Sequence, residues 1–196
     1  MKISTLKTKE NIEIVGPKLL IPTLFKDQRG FFFESWNKDF FERNINREVN
    51  FVQDNQSKSR HGVLRGLHYQ LEPFSQGKLV RCLKGEIFDV IVDLRKNSKT
   101  FCHWTSVYLS SDNFKMLWIP NGFAHGFLTM SKYAEITYKT SNYWNKEFER
   151  SILWNDKQIE IEWPINDLNI QVPIVSKKDL MASSLDEAIK NSEIFK

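Results

Sequence analysis

Short stretches of alternating apolar and polar residues recur along most of the chain, with turn-forming residues between them. The clearest is YAEITYKT at 133–140, in which Ala134, Ile136 and Tyr138 occupy every second position. Because successive side chains of a strand point to opposite faces, these three residues share the apolar face. The alternation therefore predicts a strand that points Tyr138 toward the interior.

Further strands are predicted at short spacing. Lys84 and Gly85 form a tight turn between two apolar segments, which predicts a β-hairpin. The polar and basic residues 56–62 indicate a loop instead. Many short strands with almost no helix favour an all-β, antiparallel sandwich or barrel. The other predicted extended segments are 11–25, 49–55, 77–83, 86–94, 104–109, 115–120 and 122–130.

Two short helices are predicted at the periphery. Asn37 is a candidate N-cap for a helix over 37–44. Near the C-terminus, Ser184 and Glu187 have the spacing of a capping box, which predicts a helix at about 184–191. No internal repeat, low-complexity segment or linker interrupts the pattern. We therefore expect one domain over residues 1–196.

The stretch VLRGLHYQ at 63–70 carries the first candidate chemistry. Strict alternation would send Arg65 and His68 to opposite faces, since they are three residues apart. Gly66 can form a bulge that lets both point the same way. A guanidinium beside an imidazole predicts an anion-binding site with a proton-transfer group. The alternative is a surface arginine and a core histidine with satisfied hydrogen bonds.

Polar residues on other predicted inward faces favour the first interpretation. His68, Tyr138 and His125 would all lie in the interior, where polar groups need partners. A water-filled pocket explains this pattern better than packing does. Histidine is a base near neutral pH and tyrosine can supply a proton. Lys78 and Arg65 can hold oxyanions.

Composition narrows the class of protein. The 196 residues are 41% hydrophobic and 27% charged, as in soluble globular proteins. A net charge of +4, with both signs interspersed, does not indicate nucleic-acid binding. Cys82 and Cys102 lack the spacing of metal ligands. Residues 1–20 contain no signal-peptide core, and no apolar run reaches membrane-spanning length. We expect a cytoplasmic protein with free thiols.

Several motifs in a fixed order carry a resemblance that covers nearly the whole chain. Together they resemble the dTDP-4-dehydrorhamnose 3,5-epimerase family of nucleotide-sugar enzymes. The resemblance implies a cupin-like antiparallel jelly-roll, a homodimer with crossing N-terminal strands, and no cofactor. The motifs are DQRGFFFESW (27–36), FVQDN (51–55), GVLRGLHYQ (62–70), QGKLVRCLKGEIFDVIVDLR (76–95), LWIPNGFAHGF (117–127), YKTSNYW (138–144), SILWND (151–156) and SKKD (176–179).

The resemblance also implies a role for each matching residue. His68 resembles the catalytic base, and Asp179 resembles the carboxylate that orients it. Tyr138 resembles the proton donor on the other face of the sugar, and Lys78 the group near the ketone oxygen. Trp144 stands where the family commonly has a tyrosine stacked on thymine. Further residues that resemble ligands of the sugar, diphosphate and thymidine are Arg29, Glu34, Gln53, Asn55, Arg65, His125, Glu149 and Lys178.

Alternatives remain for some of these residues. Arg29 and Glu34 can instead form a surface ion pair. His125 resembles the second half of a cupin metal motif. The first half is incomplete, since Tyr69 and Gln70 follow His68, and we expect no metal. The simplest interpretation of Asp89 and Asp93 is that they are solvated residues of the predicted hairpin. The segment between Trp163 and Ser176 is longer than usual in the family, so the position of Asp179 rests on the SKKD match.

The implied reaction is epimerisation at C3 and C5 of dTDP-4-dehydro-6-deoxy-D-glucose. Both carbons adjoin the C4 ketone, so removal of either proton gives an enolate whose charge lies on O4. No electrons leave, and the chain has no GxGxxG motif for a nicotinamide. One alternative is an epimerase of C3 alone or C5 alone. Another is a sugar-binding protein without turnover. A metal-dependent cupin oxygenase is disfavoured by the incomplete ligand set.

Overall fold

Antiparallel β-structure dominates the computed structural model, which describes residues 1–196. Three short α-helices and a 3-10 turn at Asn166–Leu168 accompany the strands. The helices are α1 (Lys38–Ile45), α2 (Lys177–Leu180) and α3 (Leu185–Lys190). The strands are β1 (Lys2–Lys7), β2 (Glu13–Ile21), β3 (Phe25–Asp27), β4 (Gly30–Phe32), β5 (Gln53–Arg60), β6 (Leu64–Gln70), β7 (Lys78–Lys84), β8 (Glu86–Asp93), β9 (Trp104–Ser110), β10 (Met116–Ile119), β11 (Phe123–Thr129), β12 (Tyr133–Thr140) and β13 (Glu149–Ser151).

The strands form two main sheets and one small hairpin. The first sheet has the order β1-β2-β10-β7-β12-β5, and the second has the order β13-β6-β11-β8-β9. Strands β3 and β4 pair only with each other. Every strand pair is antiparallel, which confirms the predicted all-β, jelly-roll class. No helix of the structure is both long and apolar enough to cross a membrane.

The main core lies between the two sheets. Val80 and Ile136 from the first sheet pack with Ile87, Ile91 and Phe127 from the second in one buried cluster. Each such side chain contributes about 1.5–3 kcal/mol through removal of apolar surface from water. This apolar region fixes the spacing of the sheets, so residues farther along the same strands can hold an open cavity.

Strand β5 corrects one prediction, because it runs through residues 56–60 of the expected loop. Its alternation is present in burial but not in hydrophobicity. Gln53, Asn55, Ser57 and Ser59 are the less exposed residues, although all four are polar. The inward face of this strand is polar over its whole length, and an apolar–polar pattern therefore could not reveal it.

The predicted hairpin at Lys84–Gly85 is wrong. Strand β7 pairs with β10 and β12, whereas β8 pairs with β11 and β9, so the turn carries the chain from one sheet to the other. Gly85 has φ +76°, and a Cβ there would lie 2.2 Å from the carbonyl oxygen of Tyr133. A glycine turn marks a reversal of the chain, but it does not determine which strands pair.

Both predicted helices are confirmed together with their caps. The Asn37 side chain accepts a hydrogen bond from the backbone N–H of Phe40 at the start of α1. Ser184 and Glu187 form the complete capping box of α3. A third helix, α2, begins after Ser176, whose hydroxyl accepts from the backbone N–H of Asp179. This cap fixes the position of Asp179.

Candidate active site

A cavity of about 120 Å³ opens between the two sheets, and polar side chains line it. A larger cleft of about 560 Å³ lies elsewhere, beside Cys102 and residues 158–162, where Lys9 and Glu162 pair with each other. Only the smaller cavity brings a histidine, a lysine and a tyrosine together. Its lining residues are Gln53, Asn55, His68, Tyr69, Gln70, Gln76, Lys78, Tyr138, Trp144 and Glu149.

A bulge in β6 brings Arg65 and His68 to the same open side, as predicted. The register between β6 and β11 shifts between His125 and Phe127, opposite Gly66. Gly66 has φ +122°, and a Cβ there would lie 2.5 Å from the Cα of Gly126. Only glycine fits this approach.

His68 is held by a buried carboxylate. Its Nε2 lies 2.6 Å from Oδ1 of Asp179, and the backbone N–H of Gly66 reaches Oδ2 at 3.4 Å. Asp179 is 2% exposed. Burial alone would raise the pKa of Asp179, but the hydrogen bonds from His68, Gly66 and Ser176 and the attraction of His68 together lower it. The carboxylate therefore stays ionised and fixes the orientation of the imidazole.

Tyr138 lies on the opposite wall, as the alternation of β12 predicted. It is paired with Asn55 of β5 and Val80 of β7, in the sheet that faces His68. Burial raises the pKa of the Tyr138 hydroxyl above its ordinary value, and Glu149 adds to this effect while Arg65 opposes it. The phenol thus keeps its proton at neutral pH and is available as a donor.

Lys78 supplies a cation beside the histidine. Its Nζ donates a hydrogen bond of 3.4 Å to the backbone carbonyl of His68. Burial lowers the pKa of Lys78 to about 8, against the attraction of Asp89 and Glu149. A buried ammonium of this kind can stabilise a negative charge that develops next to it.

Four predicted ligand residues line the rim of this cavity, and a fifth, Lys178, pairs with one of them. The backbone N–H of Trp144 donates to the amide oxygen of Gln53 at 3.1 Å, and the Gln53 amide donates to Asn55 at 2.9 Å. The exposed indole ring of Trp144 is therefore carried on a loop that β5 anchors. Lys178 forms an ion pair of 2.6 Å with Glu149.

Arg65 lies on the same side of β6 as His68, but it is not among the residues that line the cavity. Its Nε donates to the hydroxyl of Ser59 at 3.0 Å, and its charge acts on Tyr138. The bond crosses from β6 in one sheet to β5 in the other. Arg65 thereby joins the two walls and leaves its guanidinium exposed.

Arg29 and Glu34 do not line the cavity of their own chain. Arg29 pairs with Asp27 at 2.6 Å, and Glu34 accepts a bond from Asn37, so the alternative of an Arg29–Glu34 ion pair is not realised. Arg29 lies in the turn of the β3–β4 hairpin and Glu34 follows β4. That hairpin pairs with neither main sheet, which explains why both residues lie apart from the cavity.

His125, Asp89 and Asp93 are buried, which corrects the prediction that the two aspartates are solvated. Both carboxylates are 0% exposed, because β8 lies inside the second sheet and its inward face packs on the first. His125 donates from Nε2 to both oxygens of Asp89, at 2.9 and 3.0 Å. It lies directly across the ladder from His68 and is not part of the cavity wall.

Sequence reasoning missed two groups that shape the cavity. Gln70 is buried and fixes two loops: its amide nitrogen donates to the carbonyls of Phe74 and Tyr143, and its oxygen accepts from the N–H of Asn145. The negative charge of Asp89 raises the pKa of Lys78. Gln70 lies two residues after His68 on β6 and therefore on the same face. This spacing is the sequence signal that could have identified Gln70 as a residue of the cavity. Groups of three or more His, Cys, Asp or Glu residues arranged to hold a metal ion are not found.

The fold and the cavity together define a class: a cupin-like jelly-roll enzyme with an acid–base site between its sheets. The family profile described as dTDP-4-dehydrorhamnose 3,5-epimerase matches residues 11–187. The chain belongs to this family of isomerases. The protein of that description from Shigella flexneri is 56% identical over 174 residues, which cover 88% of this chain and 93% of the relative.

Solved structures agree with this assignment. The dTDP-6-deoxy-D-glucose-3,5-epimerase of Legionella pneumophila, in complex with dTDP-4-keto-L-rhamnose, is similar with a TM-score of 0.89 and 40% identity. That match covers 100% of this chain and 98% of the other. A 3'-monoepimerase from Streptomyces bikiniensis, in complex with dTDP-quinovose, is similar with a TM-score of 0.84 and 27% identity. This match covers 91% of the present chain and 88% of the monoepimerase chain.

Proposed function

We propose that this protein converts dTDP-4-dehydro-6-deoxy-D-glucose to dTDP-4-dehydro-L-rhamnose by inverting C3 and C5. The observation that carries the proposal is the His68–Asp179 pair on one wall of a cavity that has Tyr138 on the other. A base and an acid on opposite walls suit removal of a proton from one face of a sugar and its return to the other. The similarity to 3,5-epimerases over most of the chain supports the choice of substrate.

His68 takes the proton from C3 or C5 in this mechanism. The electron pair of the broken C–H bond forms a C=C bond, and the C4 carbonyl becomes an enolate. Asp179 stabilises the imidazolium that results. Tyr138 then donates its proton to the same carbon from the opposite face, and the C4 carbonyl re-forms. Transfer of the His68 proton to solvent and reprotonation of Tyr138 restore the site.

Lys78 stabilises the negative charge on O4 while the enolate exists. The backbone bond to His68 keeps the ammonium beside the base, so both groups meet the same part of the sugar. An interaction that strengthens as charge develops lowers the barrier more than it strengthens ground-state binding. Without that cation, the proton next to the ketone is too weakly acidic for an imidazole to remove at a useful rate.

The nucleotide portion binds at the rim. Trp144 stacks on the thymine, where its ring replaces the more common tyrosine without loss of an aromatic surface. The ligands that we propose for the sugar, diphosphate and nucleoside are Gln53, Asn55, Arg65, Glu149 and Lys178, without the buried His125. Binding far from the reacting carbons holds the sugar in the geometry for reaction.

Arg29 and Glu34 complete the site from a second copy of the chain in this proposal. We propose a homodimer of single-domain protomers in which the β3–β4 hairpin crosses to the partner. Phe25, Phe31 and Phe32 on that hairpin are exposed in one chain, which supports a covered position in the assembly. The two free thiols support a reducing compartment, and we propose the cytoplasm.

A second candidate is inversion at C3 alone, which the similarity to a 3'-monoepimerase favours. The same base and acid serve either reaction, and the difference lies in whether the sugar can present C5 to them. A sugar-binding protein without turnover is disfavoured, since a binder needs neither the His68–Asp179 pair nor a facing phenol.

Incubation with dTDP-4-dehydro-6-deoxy-D-glucose in heavy water tests the proposal. NMR of the product should show deuterium at both C3 and C5 and the L-rhamno configuration. His68→Asn should abolish exchange and inversion at both carbons, because no other base reaches them. Deuterium at C3 alone would support the monoepimerase, and wild-type exchange in His68→Asn would remove the histidine from the mechanism. Activity should survive exhaustive dialysis against EDTA.

A further inference from the structure

One fully buried carboxylate, that of Asp89, does not line the cavity and has no role in the mechanism above. Asp89 lies on the inward face of β8, between Ile87 and Ile91 of the apolar core. Its hydrogen bonds come from one group, the Nε2 of His125. A carboxylate in this position is far more costly than an apolar residue unless a positive charge lies near it.

Lys78 is the cation that the geometry offers. His125, which holds Asp89, lies directly opposite His68 in the ladder between β6 and β11. The ammonium of Lys78 donates to the backbone carbonyl of the same His68. Asp89 attracts Lys78 more strongly than Glu149 does, although Glu149 lines the cavity and Asp89 does not. Asp89, His125, His68 and Lys78 thus form one connected cluster.

We propose that Asp89 is a positioning residue: the buried carboxylate, oriented by His125, keeps Lys78 charged and directed at the oxyanion of the substrate. The inference deepens the proposed function and rests on the role of Lys78 in it. His125 acquires a task that does not require contact with the sugar. The N–H at its Nε2, shared between both oxygens of Asp89, holds the carboxylate in one orientation.

Several other titratable groups face this cluster, and their combined effect decides its charge. Burial lowers the pKa of Lys78, Asp89 and Glu149 raise it, and Lys178 lowers it. Asp89 has the largest effect among these charges, so its removal should move the ionisation of Lys78 to lower pH. The groups that face the cluster are His68 on β6, Cys82 on β7, His125 on β11, Tyr138 on β12, Glu149 on β13 and Lys178 on α2.

Asp89→Asn tests the inference, since it keeps the shape and removes the charge. The alkaline limb of the kcat profile should move about one pH unit lower, and kcat at pH 8 should fall about fivefold. The Kd of dTDP, which lacks the sugar, should stay at its wild-type value. An alkaline limb that superimposes on that of the wild type in a folded Asp89→Asn protein would overturn the proposal.

Asp93→Asn is the matched control. Asp93 is as buried as Asp89 and lies on the same face of the same strand. Its partners are Arg95, Ser98 and Thr100, away from the cavity. This variant should lose stability as Asp89→Asn does, but its alkaline limb should not move. A limb that moves equally in both variants would assign the shift to general destabilisation.

A stability cycle gives a readout that needs no turnover. Tm is measured for Asp89→Asn, Lys78→Met and the double variant. The double variant should be more stable than the sum of the two single losses predicts, because it leaves neither charge buried alone. Additive losses would refute the pairing. Coupling in a protein whose wild type does not turn over the sugar would refute the proposed function and leave the pairing intact.

Discussion

In the proposed mechanism, two side chains, His68 and Tyr138, divide the proton transfer between opposite sheets of the sandwich. Each is tuned by a different physical effect. His68 depends on a charged hydrogen bond to Asp179, whereas burial keeps the proton on Tyr138. Because the two effects are independent, single substitutions can separate the two halves of the reaction.

Tyr138→Phe should separate exchange from inversion. The change keeps the ring and its packing and deletes only the hydroxyl. His68 can still remove the proton and return a solvent-derived one to the same face. In heavy water the variant should incorporate deuterium while it loses most of its inversion. A structural tyrosine would give a different result, in which both rates fall equally and the Tm drops.

Asp179→Asn should reduce activity and weaken the acid dependence of stability. The pKa of Asp179 lies below its ordinary value of 3.8 in the folded protein. The stabilisation is therefore complete above that value and is lost as the pH falls through the folded-state pKa. The wild type should lose Tm faster than the variant as the pH is lowered past 4. The kcat should fall about a hundredfold or more, since the imidazole loses its orienting partner. Parallel Tm curves would contradict this account.

Among the secondary-structure elements, β6 contributes most to the site, because its bulge turns Arg65 and His68 to the same side of the strand. The strand contacts β11 on one side and β13 on the other. The close approach to Gly126 needs a residue without a side chain at position 66. The geometry of the base therefore depends on the lack of a Cβ at position 66.

Gly66→Ala should cost about 2–5 kcal/mol, from the positive φ and the contact with Gly126 together. Gly30→Ala is the matched control, because Gly30 has φ +131° and no atom lies within 4 Å of the added Cβ. It should lose only the backbone part, about 1–2 kcal/mol. Chemical denaturation measures both values. Equal losses in the two variants would show that β11 yields to the added methyl.

Gln70→Ala should weaken nucleotide binding more than it slows chemistry. Three hydrogen bonds from this side chain fix the loops around Phe74 and Tyr143, next to the ring of Trp144. Their loss should raise KM about a hundredfold, at roughly 1 kcal/mol for each of the three net hydrogen bonds, and change kcat much less. Steady-state kinetics with the dTDP sugar provide the measurement. A fall in kcat with an unchanged KM would instead connect Gln70 to the base.

The sequence predicted the elements whose pattern is local. Alternation identified β12, cap residues identified α1 and α3, and a glycine identified the bulge. It failed at β5, whose inward face is polar, and at the β7–β8 turn, where pairing depends on strands distant in the chain. Asp89 was assigned to solvent because the position of β8 inside the sheet is a property of topology. The catalytic pairing of His68 with Asp179 came from the family resemblance, since no local pattern relates residues 111 positions apart.

At the scale of the whole molecule, we expect the exposed aromatic β3–β4 hairpin to form the contact between two copies of the chain. Phe32→Asp should give monomers at micromolar concentration by light scattering, because a charge replaces a side chain that we expect to be covered. Activity should fall with it, since Arg29 and Glu34 would no longer reach the partner. Val172→Asp is the control: Val172 is 68% exposed, close to 70% for Phe32, but lies far along the chain from the hairpin. A wild type that is already monomeric would contradict the dimer.

Helix α2, which carries Asp179, also sets the order in which the enzyme is completed during synthesis. All thirteen strands lie before residue 152, so the ribosome makes the residues of both sheets before it makes residues 177–180. Until then His68 lacks the carboxylate that binds it in the folded chain. In the proposed mechanism, catalytic competence is thus one of the last properties that the polypeptide acquires, and a chain truncated before Ser176 would lack both Asp179 and the core residues Leu185 and Ala188.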